Sequence, residues 1–262
     1  MVANQSNSLI SLIKEAGQIM TGVHGVSKIT EKGGTANFVT EYDVKVQTFL
    51  IEGIKKLYPN AEFFSEEKEN DEAVLKKEFC FIIDPIDGTT NFIHDLHMSA
   101  ISVAMLCFGE VVLGIIYNPY ADELFYAERG KGAFLNGESI SVSKRKADES
   151  LVVFGTSPYT KLTTGNKTVS IMTELLYKCA DIRRCGSAAI DLALIACGRA
   201  DLFFEVQLSP WDYAAGLLLI KEAGGVITDM QGNELSFEKP TPVIAGNQNA
   251  YPDLLDVVKK YS

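Results

Sequence analysis

The chain has 262 residues, with 24 Lys plus Arg against 34 Asp plus Glu, and a formal net charge of −10 at pH 7. An acidic balance with no basic patch argues against nucleic acid or an anionic membrane as the main partner. A content of 47% apolar against 22% charged residues excludes a disordered acidic chain. At this length roughly 75% of the unfolded surface can be buried, enough for a core without staples.

The N-terminus, Met1-Val2-Ala3-Asn4-Gln5-Ser6, lacks the basic flank and apolar stretch of a signal peptide. No apolar run approaches the ~20 residues that span a bilayer; Ser99 to Phe108 is among the longest. Five cysteines, Cys80, Cys107, Cys179, Cys185 and Cys197, are an odd number for a disulfide framework and form no C-x-x-C pair. Read as buried reduced thiols, they fit a soluble cytoplasmic protein.

Along the chain, Leu9, Leu12, Ile13, Ala16, Ile19 and Met20 recur at helical spacing and predict a helix from Ser8 to Met20. A second predicted helix runs from Asp43 to Leu57, with Pro59 ending it. The connector Thr30-Glu31-Lys32-Gly33-Gly34-Thr35 reads as a flexible turn, either a lid or a plain link. Ala61 to Phe64 and Phe79 to Ile83 read as strands. Ser99 to Ser143 reads as an antiparallel meander, with turn signals at Gly109-Glu110, Asn118-Pro119 and Asn136-Gly137. The polar run Lys144 to Ser150 marks a boundary between an N-terminal half, 1–146, and a C-terminal half, 147–262. In the second half, strands are predicted at 152–154, 202–205, 226–228 and 243–245, and helices at 169–178, 187–197 and 212–222. Blocks of helix and of antiparallel strand, without strict alternation, imply an α+β fold of stacked sheets and helix layers.

The most informative segment is Phe81-Ile82-Ile83-Asp84-Pro85-Ile86-Asp87-Gly88-Thr89-Thr90-Asn91-Phe92. An apolar strand runs into Asp-Pro-x-Asp-Gly, where Pro85 biases Asp84 towards an extended backbone and Asp-Gly favours a tight turn. Two carboxylates at a strand end, with the Ile86 carbonyl between them, form an oxygen set suited to a hard cation such as Mg²⁺. Aspartates beside proline and glycine also make a good turn for purely local reasons. The following Gly88-Thr89-Thr90 adds a second function, because hydroxyl residues there can cap a helix whose free N–H groups hold a phosphate. Glu66-Glu67 follows the strand end Phe63-Phe64-Ser65, and its carboxylates either flank a cation or sit in a solvated loop. Asp212 follows Ser209-Pro210-Trp211 at a helix start, as an N-cap or as a further ligand. His24, His94 and His97 with scattered cysteines form no zinc constellation. No nucleophile elbow, Walker loop or dinucleotide fingerprint is present.

Taken together, three blocks closely resemble the inositol monophosphatase family: Phe63-Phe64-Ser65-Glu66-Glu67, the Asp84 to Phe92 segment, and Trp211-Asp212-Tyr213-Ala214-Ala215-Gly216. Val39-Thr40-Glu41-Tyr42-Asp43 and Gly186-Ser187-Ala188-Ala189-Ile190-Asp191-Leu192-Ala193 match as well, in order, from about residue 8 to the end. The resemblance implies a layered αβαβα sandwich of the inositol monophosphatase and fructose bisphosphatase type, with the active site between the two halves. It implies two or three Mg²⁺ ions held by Glu66, Asp84, Asp87, Asp212 and the Ile86 carbonyl, with Asp43 reaching a weaker ion through water. Lys32 matches a lysine on a mobile loop. Gly88 and Thr89 match phosphate-binding amides, while Ala188 and Glu205 match positions that meet the substrate alcohol, with Asp87 and Asp212 close to the substrate too. Ser65 departs from a glycine common in the family, and Asn37 replaces a frequent aspartate.

The implied activity is a Mg²⁺-dependent, Li⁺-sensitive hydrolysis of myo-inositol monophosphate to inositol and phosphate. Glu66 and the Thr89 hydroxyl orient and deprotonate the attacking water, and Asp84 and Asp87 stand at the same centre. Relatives of this fold also hydrolyse NADP(H), fructose bisphosphate, histidinol phosphate or phosphoadenosine phosphate, and a dual inositol phosphate and NADP(H) phosphatase is the main alternative. A non-catalytic module that binds metal or sugar phosphate is the alternative of a different class. The implied partner is thus a small phosphorylated metabolite, and the implied assembly is the homodimer common in the family. Part of the excess acidity would then be charge awaiting metals.

Overall fold

The structure is a computed structural model and describes residues 2–23, 29–31 and 38–261. His24, the Gly33-Gly34 turn, Lys32 and Asn37 lie outside the described residues. The chain begins with α1 (Val2–Thr21), the short antiparallel pair β1 (Ile29–Glu31) and β2 (Phe38–Thr40), and α2 (Glu41–Leu57). Leu9, Ile13, Ala16 and Met20 on α1, and Val46, Leu50 and Ile54 on α2, are fully buried, as their spacing predicts. α2 begins two residues before its predicted start because Thr40 and Asp43 cap it reciprocally.

Next come β3 (Glu62–Ser65), β4 (Cys80–Asp87), the short α3 (Thr89–Ile93), β5 (Ala100–Cys107), β6 (Glu110–Asn118), β7 (Glu123–Glu128), β8 (Ala133–Leu135) and β9 (Glu138–Ile140). The seven strands form one sheet in chain order, antiparallel except for the parallel β3–β4 pair. Asn136 and Gly137, at φ 49° and 87°, form the two-residue turn between β8 and β9. The preceding tight turn is Phe108-Gly109 rather than Gly109-Glu110, because Glu110 already pairs with Cys107.

β4 does not stop at Ile83 but continues through Asp84-Pro85-Ile86-Asp87. Proline fits there for a reason of register. β3 ends at the Ser65–Ile83 pairing, and on the other side three steps along β4 oppose two along β5, between the Asp84–Ser102 and Asp87–Ala100 pairs. A bulge needs no N–H from Pro85.

The C-terminal part adds β10 (Leu151–Phe154), α4 (Lys161–Leu176), β11 (Asp181–Arg183), α5 (Ala188–Ala196), β12 (Leu202–Leu208), α6 (Pro210–Glu222), β13 (Val226–Thr228), β14 (Thr241–Gly246) and α7 (Tyr251–Lys259). Its five strands order as β11-β10-β12-β14-β13, with β10 parallel to both β11 and β12. This sheet is mixed, and not only a block of antiparallel strands, because α4 and α5 act as crossovers between parallel strands.

α1 and α2 pack on one face of the first sheet, α5 and α6 lie between the sheets, and α4 and α7 cover the second. The result is the layered α+β sandwich expected from the sequence. Ala188 to Ala193 of α5 and Tyr213 to Ile220 of α6 are all buried, because each of these helices meets a sheet on both sides. Gly114 on β6 lets α6 approach: a Cβ there would lie 2.6 Å from the Ala215 carbonyl oxygen. The connector between the sheets is clamped by fully buried Asp201, which accepts from Arg145 Nε at 2.9 Å and from the Leu151 N–H at 2.7 Å.

All five cysteines are unpaired, but only Cys80 is buried. The other four are half-buried because they stand at or beside the ends of β5, α4 and α5, where those elements reach the surface. Among the described residues no helix is long and apolar enough to cross a membrane.

Candidate active site

Aspartates three residues apart on a regular strand point to opposite faces, because side chains alternate. The bulge in β4 removes that alternation and turns Asp84 and Asp87 to one side. From the other half, the first turn of α6 brings Asp212 to the same place. One carboxylate oxygen from each of the three lies within 4.8 Å of the others. It is the one such cluster of His, Cys, Asp or Glu among the described residues.

Each carboxylate is held by the backbone on one oxygen, leaving the second as the candidate ligand. The Ile86 N–H donates to Asp84 Oδ1 at 3.1 Å. The Ala189 N–H donates to Asp87 Oδ2 at 2.8 Å, and the Ser187 hydroxyl donates to the same oxygen. The Ser209 N–H donates to Asp212 Oδ2 at 2.7 Å. Asp212 is therefore not the N-cap of α6; Ser209 is, and Asp212 is the third helical residue of a capping box. Asp87 ties the end of β4 to the start of α5.

Burial is the first cause of the electrostatics. Asp84 is 1% exposed and its carboxyl is pushed well above the usual range by burial, then by the charges of Glu66, Asp87, Asp212 and Asp43. Burial also raises Asp212, with Asp87 and Glu66 adding to it. Asp87 is raised by burial against the opposing bonds from Ser187, Ala189 and Ala188 and the charge of Arg184. Carboxylates pressed together this way would be relieved by a cation placed between them. The donors are all hard oxygens, which fits Mg²⁺ and disfavours a thiophilic metal.

The remaining expected residues take different places. Glu66 follows β3 and is half-buried; its charge reaches Asp84 and Asp212, but it lies outside the tight three-carboxylate cluster. Asp43 is fully buried, accepting from the Thr40 N–H at 2.7 Å, and Thr89 Oγ1 lies 3.4 Å from its Oδ1. The same Thr89 hydroxyl lies 3.2 Å from the Ile86 carbonyl, so it bridges the two. Gly88, at φ 85°, caps α3 where a Cβ would meet the Gly186 and Met98 carbonyls. Ala188 and Glu205 line the same cavity as Asp87, Gly88, Thr89 and Asp212. Glu205 is 5% exposed and is pushed up to about 7, chiefly by burial. His94 and His97 are exposed, and His97 pairs with Asp95 and stacks on Tyr120. Trp211 is half-buried against Phe64.

Some cavity residues carry little or no local signal in the sequence. Ser187 carries one, a serine before a helix, and it caps α5 by accepting from the Ile190 N–H. Ser157, Tyr159 and Arg184 line the cavity from loops without periodicity. Arg184 Nη2 donates to Thr156 Oγ1 at 3.1 Å.

Comparison with known proteins gives one answer. A model described as the inositol monophosphatase family matches residues 3–262. Inositol-1-monophosphatase of Mesorhizobium japonicum is 39% identical over 228 residues, covering 87% of this chain and 85% of that protein. The Nus factor SuhB of Escherichia coli strain K12 is 35% identical over 251 residues, covering 95% and 93%. Among solved structures, the Thermotoga maritima IMPase superposes with a TM-score of 0.87 at 34% identity, covering 96% of this chain and 95% of that one. With the layered fold and the buried carboxylate cluster, these matches make the chain a member of the inositol monophosphatase family.

Proposed function

We propose that the protein is a Mg²⁺-dependent, Li⁺-sensitive phosphomonoesterase that hydrolyses myo-inositol monophosphate to inositol and phosphate. The observation that carries this reading is the meeting of Asp84, Asp87 and Asp212 in a largely buried cluster, two of whose members, Asp87 and Asp212, line a cavity. Two or three Mg²⁺ ions, held by Asp84, Asp87, Asp212, Glu66 and the Ile86 carbonyl with Asp43 further out, would supply Lewis-acid charge against the phosphate dianion. The Thr89 hydroxyl oxygen orients the attacking water and Glu66 takes its proton; should Thr89 accept the proton instead, its own would pass to Asp43, towards which the hydroxyl is aimed together with the Ile86 carbonyl. The Gly88 and Thr89 N–H groups meet the phosphate, and Ala188 and Glu205 meet the alcohol. On this reading the 1–146 half brings most of the metal ligands, and the 147–262 half brings Asp212 and the alcohol contacts.

The protein in this reading is cytoplasmic, with five unpaired cysteines, and homodimeric. Leu162, Val169 and Leu176, seven residues apart on α4 and 87%, 56% and 50% exposed, would suit a subunit contact. The NADP(H) and fructose bisphosphate readings would use the same metal-binding carboxylates. Side-by-side kcat/KM values on the three substrates separate them. The name Nus factor carried by relatives supports the non-catalytic reading as the one to set against ours. Asp87→Asn should lower phosphate release at least a thousandfold while thermal unfolding stays cooperative. Turnover retained in that variant would sink the site, and no phosphate from any monoester with the parent protein would favour the binding module.

A further inference from the structure

Tyr159 lines the cavity but has no role in the reading above, and several bonds fix the turn that places it. It stands in the loop between β10 and α4, two residues after Ser157, whose backbone is held at φ 42°. Three bonds stabilise that left-handed conformation. The Ser157 N–H donates to Glu205 Oε1 at 2.7 Å, its hydroxyl donates to the Gln207 carbonyl at 3.0 Å, and the Thr160 N–H donates to the Ser157 carbonyl at 2.9 Å. Ser157 is 2% exposed, so the turn is anchored in the protein and not in solvent. Pro158 stiffens the next step.

This turn puts Tyr159 on the wall of the cavity that holds Asp87, Gly88, Thr89 and Asp212. The side chain is divided. The residue is 52% exposed overall, which places part of the ring at the rim. Its phenol nevertheless feels burial and then the charges of Glu66, Asp212, Asp84 and Asp87, all of which raise its pKa. Those four carboxylates are the candidate metal ligands, and Tyr159 shares its cavity wall with two of them, Asp87 and Asp212. A phenol keeps its proton at neutral pH. It offers a donor on the wall of the cavity where an anion must sit once the carboxylates are neutralised.

We propose that Tyr159 is a phosphate-binding residue of this chain, its hydroxyl donating a hydrogen bond to a non-bridging oxygen of the bound phosphate. The inference rests on the phosphatase reading only for the identity of that anion. A neutral donor to a charged acceptor makes one of the stronger hydrogen bonds, and its loss weakens binding about tenfold or more.

The test is Tyr159→Phe in the full chain, which removes the hydroxyl and keeps the ring. Inorganic phosphate is titrated by calorimetry into Mg²⁺-saturated protein, and Mg²⁺ alone into chelator-treated protein. Phosphate affinity should fall 10- to 100-fold, with the Mg²⁺ affinity within twofold of the parent. Turnover of inositol monophosphate should show a rise in KM of similar size and a smaller change in kcat. Phosphate affinity within twofold of the parent overturns the inference. So does an equal loss of Mg²⁺ affinity, which would make Tyr159 part of the metal site. If neither protein releases phosphate from any monoester while the variant still binds inorganic phosphate more weakly, the phosphatase reading fails and the role of Tyr159 stands.

Discussion

Replacing Glu205 by glutamine should stabilise the metal-free protein, by an amount that grows from near zero at pH 4.5 to its full size above about pH 7. Glu205 sits on β12, 5% exposed, with its carboxyl pushed from 4.5 to about 7. Burial is the main cause, and the charge of Asp87 adds to it. The bonds from Ser157 and the charge of Arg184 act the other way. Asp191 and Asp212 also face it. Because the folded value lies above the unfolded one, folding favours the protonated form. That contribution is fully present below pH 4.5 and is lost as the pH rises through about 7. A gap of about 2.5 pH units at 1.36 kcal/mol each puts the loss at about 3 kcal/mol. Glu205→Gln keeps Oε1 as the acceptor for the Ser157 N–H but never ionises. The variant should therefore unfold at higher urea than the parent at pH 8 in chelator, by up to about 3 kcal/mol. The difference should close towards zero near pH 4.5. The other raised carboxylates titrate in both proteins and largely cancel. A stability difference independent of pH would refute burial of Glu205 as the origin of the effect.

Three further outcomes are expected. Chelation of divalent cations should lower both the melting temperature and the affinity for inorganic phosphate, and Mg²⁺ at 100 times its Kd should restore about 2.7 kcal/mol of stability; phosphate affinity indifferent to chelator would contradict the cation requirement. Gly114→Ala should destabilise by about 1–3 kcal/mol in urea unfolding, because its Cβ would lie 2.6 Å from the Ala215 carbonyl oxygen, which is helix backbone and has no rotamer to move. Ser187→Ala should cost about 1 kcal/mol as a lost cap of α5. It should also lower kcat, since its hydroxyl is one of the tethers of Asp87. A stability loss with unchanged kcat would assign Ser187 to the helix alone.

What could be read without a structure was what acts over a few residues. The buried stripes of α1 and α2, the Asn136-Gly137 turn and the meander of β5 to β9 follow from periodicity and turn chemistry. So does the recognition of Asp84, Asp87 and Asp212 as residues of interest. The Pro85 and Asp-Gly chemistry also lets Asp84 and Asp87 act from one side of a strand end. The means does not follow locally, since the strand continues through both residues and it is the unequal pairing of β4 with β5 that puts them together. Asp212 reaches them because α6 packs against the first sheet, which Gly114 permits. β11 is three residues long and exists through its parallel pairing with β10. α7 buries its apolar face, Leu254, Val257 and Val258, against elements far away in the chain, among them β14 and α4. Tyr159 is an unremarkable loop residue until Glu205 and Gln207, on a distant strand, hold the turn that aims it. Local sequence thus determines the elements and the chemical types available. Burial, charge crowding and the direction of each carboxylate are long-range quantities, set when the two sheets close on α5 and α6.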